Sequence, residues 1–279
     1  MKMQIKASYK KEILAYFRTG RAIVIALVLL GLAVISPLFI TGLSALMDSM
    51  SEIYDEFGID VSEMTEVLVS ASSTGVSSSV SDITGAGLIV LLLLLNRTAG
   101  GEQKKRTVII PRSAGLSSLA YIYPKFIIYP LYSFILAFVG LFASWGVSVL
   151  LFDYNDVTFY GVLIAGVLTG VCLMMYVCFH LTLGTATGKA GMSAAVCIAA
   201  SILLSNVFAF TDMDYMFNPF ALGLLAASVV HNSAITSREL LDIAVTIVFA
   251  LGIMLLSYWI ALFAQNARRI DNSGNEIDL

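Results

Sequence analysis

One stretch of this chain comes near to a phosphate-binding loop. Gly184-Thr185-Ala186-Thr187-Gly188-Lys189-Ala190 sets two glycines ahead of a lysine, the arrangement that lets backbone N–H groups cradle a nucleotide's phosphates. The glycines stand one residue too close for GxxxxGK followed by Ser or Thr, and Ala190 takes the place of the Mg2+-coordinating hydroxyl. The segment also follows an apolar run of helix length where such a loop would follow a strand, so it reads as a small-residue turn with one lysine. His180 stands alone among Cys178, Phe179 and Thr182 and reads as a packed or interfacial hydrogen-bonder in preference to a proton relay. His231 falls in a polar stretch and is expected in solvent. Cys172, Cys178 and Cys197 lie in apolar segments without CxxC spacing, so neither a disulfide framework nor a thiolate metal site is expected. No HExxH, GxSxG or paired carboxylates within an apolar run can be found, which leaves no catalytic, cofactor-binding or metal set to assign. The chain is expected not to be an enzyme by itself.

The elements that would position any function are membrane spans. In 279 residues the hydrophobic fraction is 58% and the charged fraction 13%, with mean hydropathy +0.89, far from a soluble composition. A bilayer's hydrocarbon core takes about 20 helical residues to cross. Apolar runs at 22–40, 77–95, 126–151, 159–183, 191–210 and 241–264 predict six spans in a single all-α transmembrane domain, 1–279, with no room for a soluble catalytic domain. A further apolar stretch near Phe217–Val230, short and preceded by Asn218-Pro219, is expected as a broken or re-entrant element on the outer side. Residues 1–20 carry Met3, Ile5, Tyr9, Ile13 and Tyr16/Phe17 at helical spacing with Lys2, Lys6, Lys10 and Lys11 opposing them, which predicts an amphipathic helix in the headgroup plane. The same residues also suit a plain basic tail. The first outer loop, 41–76, holds Leu46, Met50, Ile53, Tyr54 and Phe57 at partly helical spacing, then a Ser/Gly-rich strap from Ser70 to Ser79.

Charge sets the expected orientation. With both termini inside, 15 of the 16 Lys/Arg fall on the inner side and only Arg238 outside, the positive-inside rule nearly complete. Fourteen of the 19 acidic residues fall outside, including Asp48, Glu52, Asp55, Glu56, Asp60, Glu63, Glu66, Asp82, Asp153, Asp156, Asp212, Asp214, Glu239 and Asp242. Such an anionic face attracts cationic peptides or ions, and it equally serves as a solvated surface. A plasma-membrane, multi-pass protein with cytoplasmic termini is expected, in contact with the lipid bilayer and not with nucleic acid. Within the spans, Gly161, Gly166, Gly170, Gly191, Ala194, Ala195, Ala199 and Ala200 allow close helix approach. Tyr121, Tyr123, Phe126, Tyr129, Phe152, Tyr154, Phe159 and Tyr160 read as an interfacial aromatic belt. The spans contain few formal charges, which argues against a carrier driven by its own ion or proton relay.

A basic amphipathic N-terminal helix, six spans, a large first outer loop and a basic first inner loop, 96–125, together resemble the permease subunit of an ABC-2 type ATP-binding cassette (ABC) transporter. In that family the first inner loop runs from a Glu-rich, basic helix to a Gly-Thr pair, then a Pro-x-Ser turn, then a Lys at the mouth of span three. Here Glu102, Lys104, Lys105, Arg106-Thr107, Gly115-Leu116-Ser117 and Lys125 stand at the matching separations, with Arg106 in place of the family glycine and Gly115 in place of the proline. The resemblance implies an exporter of a peptide, drug or other amphiphile, as in antimicrobial peptide resistance. It implies a second permease, as homodimer or heterodimer, and two cytoplasmic ABC ATPase subunits that use ATP and Mg. Residues 101–108 would form a coupling helix, with Glu102, Lys104, Lys105, Arg106 and Thr107 contacting the ATPase. It names no substrate path. The competing readings are a non-transporting sensory or assembly protein, an intramembrane enzyme and a secondary carrier.

Overall fold

The computed structural model describes residues 2–56, 72–152, 155–207, 218–231, 236–267, 269–270 and 276–277. Helices account for these residues apart from short turns and one pair of two-residue antiparallel strands, β1 (Arg269–Ile270) and β2 (Glu276–Ile277). The helices are α1 (Lys2–Arg18), α2 (Arg21–Glu56), α3 (Ser72–Asp82), α4 (Leu88–Leu95), α5 (Ala99–Lys104), α6 (Ile109–Ser113), α7 (Ser118–Leu151), α8 (Phe159–Thr187), α9 (Ala190–Val207), α10 (Leu222–His231) and α11 (Ser237–Ala267). A π-helical turn, Ile83–Gly87, joins α3 to α4, and a 3-10 turn, Pro219–Ala221, leads into α10.

Among the described residues, five helical stretches are long and apolar enough to cross a membrane: Arg21–Leu43, Ser72–Lys104, Ser118–Leu151, Phe159–Thr187 and Ser237–Ala267. Away from water a backbone must satisfy its own N–H and C=O groups, and a helix does so within one segment. Polar residues then fix the ends. Ser117 caps α7 by accepting from the Ala120 N–H at 3.2 Å, and Thr158 caps α8 through Gly161 at 3.1 Å. Gly188, at φ +66°, ends α8 in the left-handed conformation that favours glycine. The near-phosphate-loop is therefore the two-residue turn between α8 and α9.

Helix α8 is the hub: α7, α9, α10 and α11 all pack on it, and Leu168, Leu173, Met175 and Tyr176 are buried along it. Its glycines act by receiving rings. A Cβ on Gly170 would stand 2.5 Å from a Phe134 ring carbon, and one on Gly166 would stand 3.1 Å from Phe138. In α9 only Ala194 of the expected small residues is buried, while Gly191, Ala195 and Ala199 are exposed. Between α2, α3 and α7 runs a polar seam in which the Ser79 and Ser144 hydroxyls lie 2.7 Å apart. Ser79 also donates to the Ala33 carbonyl at 3.0 Å, and Ser36 donates to Asp82 at 2.6 Å.

At one end of the bundle, Asp156 from the α7–α8 connection accepts from Ser72 Oγ at 3.1 Å and from the Ser73 N–H at 2.9 Å, so it caps α3 from another segment. Burial would raise the Asp156 pKa, and the Ser73 and Ser72 donors outweigh it and hold the carboxyl below its ordinary value. His231 is exposed at this end and meets Ser77 Oγ at 3.0 Å.

Several sequence expectations change. The Ser/Gly strap is helical from Ser72 onward because its small residues are packing surfaces: a Cβ on Gly75 would stand 2.6 Å from Ser148 Oγ and 2.8 Å from the Phe152 ring. The first span does not stop at residue 40. It continues unbroken as α2 to Glu56, so no separate outer helix begins at Leu46, and 57–71 lie outside the described residues. The second, third and last spans begin four to eight residues earlier than their apolar runs, at Ser72, Ser118 and Ser237, because polar residues complete their first turns. Helix α9 is a shorter apolar helix, with 208–210 outside the described residues. Around α1, at 100° per residue, the lysines do not oppose the apolar residues. Lys2, Lys6 and Lys10 interleave with exposed Met3, Ile13 and Phe17, and the face turned to the bundle carries Ser8, Glu12 and Tyr16.

Gly170→Val and Gly75→Val should each destabilise the protein by about 1–3 kcal/mol through overpacking. Gly146→Ala, with nothing within 4 Å of the added carbon, should be neutral. Thermal unfolding of the purified protein in detergent reads the difference.

Candidate functional site

At the opposite end of the bundle a buried ammonium organises three segments. The cap at Ser117 sets the phase of α7, so that Tyr121, Lys125 and Tyr129 follow at four-residue spacing on one face. Lys125 has 1% of its side chain exposed. Its Nζ donates to Glu12 Oε1 of α1 at 2.9 Å and to Glu102 Oε2 of α5 at 3.0 Å, and it stands 4.9 Å from the centroid of the Tyr121 ring. The tyrosines add to both carboxylates: Tyr129 OH donates to Glu12 Oε2 at 2.8 Å, and Tyr121 OH shares Glu102 Oε2 with the ammonium at 2.9 Å. Lys11, at the exposed rim, lies 3.8 Å from Glu12 and 3.9 Å from Glu102. Two carboxylates and two ammoniums leave the cluster formally neutral.

Burial works against the Glu12 charge and would raise its pKa. The Lys125 ammonium and its hydrogen bond, with the Tyr129 hydroxyl, prevail and hold the carboxyl below its ordinary value of 4.5. Tyr16, one helical turn on from Glu12, packs edge-on against Tyr129 at 4.9 Å and Tyr132 at 5.2 Å. Tyr132 OH donates to the Ala22 carbonyl at 2.8 Å, fastening α7 to the start of α2.

The segment that bears Glu102 is tied down on its other side as well. Gln103 Nε2 donates to Gln265 Oε1 of α11 at 3.0 Å, and Arg112 Nη2 donates to the Gln265 carbonyl at 3.2 Å. Gln4 of α1 donates to the Gly115 carbonyl at 3.1 Å. Residues 99–115 are therefore held to α1, α7 and α11 at once.

The expected helix over 101–108 is instead α5 (Ala99–Lys104) followed by a turn. The Thr107 N–H returns to Glu102 O at 3.1 Å and the Arg106 N–H to Gln103 O at 2.9 Å. Arg106 sits at φ +55°, which completes a Schellman cap with an arginine at the position glycine usually takes. The same closure repeats after α6, with Gly115 at φ +86° and Leu116 N–H returning to Pro111 O at 3.0 Å. Of the sequence-predicted residues, Glu102 joins Lys125 in the cluster, whereas Lys104, Lys105, Arg106 and Thr107 project outward as one exposed group. Tyr121 and Tyr129 are buried cluster ligands and leave the aromatic belt, as does buried Phe152. Tyr123, Phe159 and Tyr160 keep the exposure a belt requires. His180 is buried beside the Leu95 and Ser193 backbones. Sequence reading missed Glu12, Gln103 and Gln265. No protein-family model, curated protein or solved structure matches the chain.

Lys125→Met should cost about 3–5 kcal/mol, since it strands the buried Glu12 carboxylate and the half-buried one of Glu102. Adding Glu12→Gln and Glu102→Gln to it should recover most of that loss in denaturant or thermal unfolding. Because the folded pKa of Glu12 is depressed, its stabilisation is complete above its unfolded value and disappears as pH falls through the folded one. Unfolding midpoints of the wild type should therefore drop below about pH 4.5, and Glu12→Gln should flatten that fall.

Proposed function

We propose that the chain is the permease subunit of an ATP-driven exporter of the ABC-2 type, coupled to separate cytoplasmic ATPase subunits. The observation that carries this reading is the exposed Lys104-Lys105-Arg106-Thr107 turn, mounted on a short helix that is clamped by ion pairs and amide contacts to α1, α7 and α11. A push on that turn has stiff routes into the bundle through Glu102–Lys125 to α7 and through Gln103–Gln265 to α11. The left-handed Arg106 supports the resemblance in backbone terms, because the family's glycine position keeps a glycine conformation here. The near-neutral interior and the absence of a phosphate loop favour an energy source on another subunit.

On this reading the basic end faces the cytoplasm, α2, α3–α4, α7, α8, α9 and α11 make six crossings, and α10 is the outer re-entrant element. A second permease completes the pathway, and ATP binding by two ATPases drives α5 against the bundle. The exported molecule is a peptide, drug or other amphiphile, and the acidic outer side favours a cationic peptide.

Affinity purification in mild detergent, with mass spectrometry and an ATPase assay, tests the reading. A stoichiometric nucleotide-binding subunit is expected. Lys104→Glu with Arg106→Glu, both exposed and outside the buried cluster, should cut its recovery or substrate-stimulated activity at least about tenfold, as charge reversal at a docking surface does. Recovery of the chain without any ATPase, or full stimulation of the variant, would favour a non-transporting sensory or assembly protein.

A further inference from the structure

Beside the Lys125 cluster lies a cavity of about 200 Å³ between the end of α1, the start of α2, the α4–α5 turn and α5. Its wall carries Arg21, Arg97 and Lys105, none of which has an ion-pair partner among the described residues. Glu12 and Glu102 also border it, but both Glu12 oxygens accept from Lys125 and Tyr129, and Glu102 Oε2 accepts from Lys125 and Tyr121. The wall therefore carries one more cation than carboxylate, and three of the four carboxylate oxygens are already taken by hydrogen bonds within the cluster. Tyr16 lines the same space with 2% of its surface exposed, and its hydroxyl has no hydrogen-bond partner. A buried donor left unsatisfied is costly, so a ligand that accepts from it is favoured over a bare cavity.

The place of the cavity selects among anions. Arg21 opens the first long apolar helix and Arg97 follows the end of the second, so the cationic wall sits where apolar helix meets polar turn. Immediately beyond it, α2 exposes Val24 (44%) and Leu27 (69%), and α1 exposes Phe17 (51%). Guanidinium groups match phosphate oxygens in pairs, and basic pockets between membrane helices suit lipid headgroups. We propose that this cavity binds the phosphate of an anionic membrane phospholipid, held by Arg21, Arg97 and Lys105 with the Tyr16 hydroxyl as the buried donor, and with the acyl chains lying along Val24 and Leu27. The site is independent of the transporter reading, because it needs neither an ATPase nor a substrate. Occupied, it would tie α1 and α5 to the bilayer at the cluster that joins them.

The test is titration of delipidated full-length protein in neutral detergent with phosphatidylglycerol, phosphatidylcholine or inorganic phosphate. Thermal midpoint is followed, and retained lipid is counted by native mass spectrometry. Phosphatidylglycerol should stabilise saturably with one tight site per chain. Arg21→Gln with Arg97→Gln should weaken it about tenfold or more, Tyr16→Phe should weaken it severalfold, and Arg21→Lys with Arg97→Lys should restore part of the affinity and show that the fold survives. Lys6→Gln with Lys10→Gln, on the outward face of α1, should leave the tight site intact. Equal stabilisation by phosphatidylcholine, or equal loss in the Lys6/Lys10 variant, would overturn the proposal in favour of diffuse surface attraction. Equal saturation by inorganic phosphate would overturn the lipid assignment and put a soluble phosphate in the cavity.

Discussion

An ammonium withdrawn from water must find its charge balance within the protein, and Lys125 makes the architecture of one whole end answer to that requirement. Isolated, such a group would lose several kcal/mol to desolvation and would shed its proton. Two carboxylates from helices 113 and 23 residues away in sequence supply the balance. Each is in turn relieved by a tyrosine hydroxyl that α7 delivers from the same face as the lysine. The interaction is complete only when α1, α5 and α7 are all in place: without α7 the buried Glu12 loses its buried cation, and without α1 or α5 the ammonium loses one of its two carboxylate acceptors. A purely apolar contact would tolerate sliding. A charge-assisted hydrogen bond near 3 Å permits far less, so the cluster fixes register as well as proximity.

That constraint explains why the polar inventory is divided between the two ends of the bundle. At the other end Asp156 performs a smaller version of the same task, satisfying the N–H and hydroxyl groups at the start of α3. Between them, the polar seam of Ser36, Asp82, Ser79 and Ser144 uses only short hydroxyl contacts. Paired charges are concentrated at the two ends, and the seam between them relies on hydroxyls, with Asp82 as its one carboxylate. Rings accepted by Gly166 and Gly170 fill the rest of the α7–α8 contact, so the middle of the bundle packs by shape and the ends lock by charge.

Much of this was legible in the sequence, and the parts that were not share a physical cause. Apolar length located the long helices, because an apolar run has few alternatives to a helix when it leaves water. It misjudged their ends because Ser72, Ser118 and Ser237 are polar by type and yet serve as helix-starting residues. The Ser70–Ser79 stretch resembled a linker because small residues suit both loops and close packing, and only the neighbours Ser148 and Phe152 distinguish the two. Glu102 and Lys125 stood out by spacing, whereas Glu12 was hidden among lysines whose charge suggested a surface. A counting argument could have found it: a lysine set between Pro124 and Phe126-Ile127-Ile128 at the mouth of an apolar run needs carboxylates. On the basic side the sequence offers just Glu12, Glu102, Asp271, Glu276 and Asp278.

On the proposed reading, function and stability divide within one short segment around Arg106. A non-glycine residue in the left-handed region costs about 1–2 kcal/mol, and glycine would relieve it while leaving the Schellman hydrogen bonds unchanged. What arginine adds is a cation at the tip of a turn whose base is anchored three ways. Glu102 and Gln103 face inward and hold, and Lys104 through Thr107 are exposed. The clamp and the strained cationic tip go beyond what joining two helices requires, which is what the proposed coupling role would use. Their coincidence on eight consecutive positions, counted from Gly101 to Val108, is what makes this turn a point at which force applied from outside the bundle would reach α7 and α11 with little lost in local flexing.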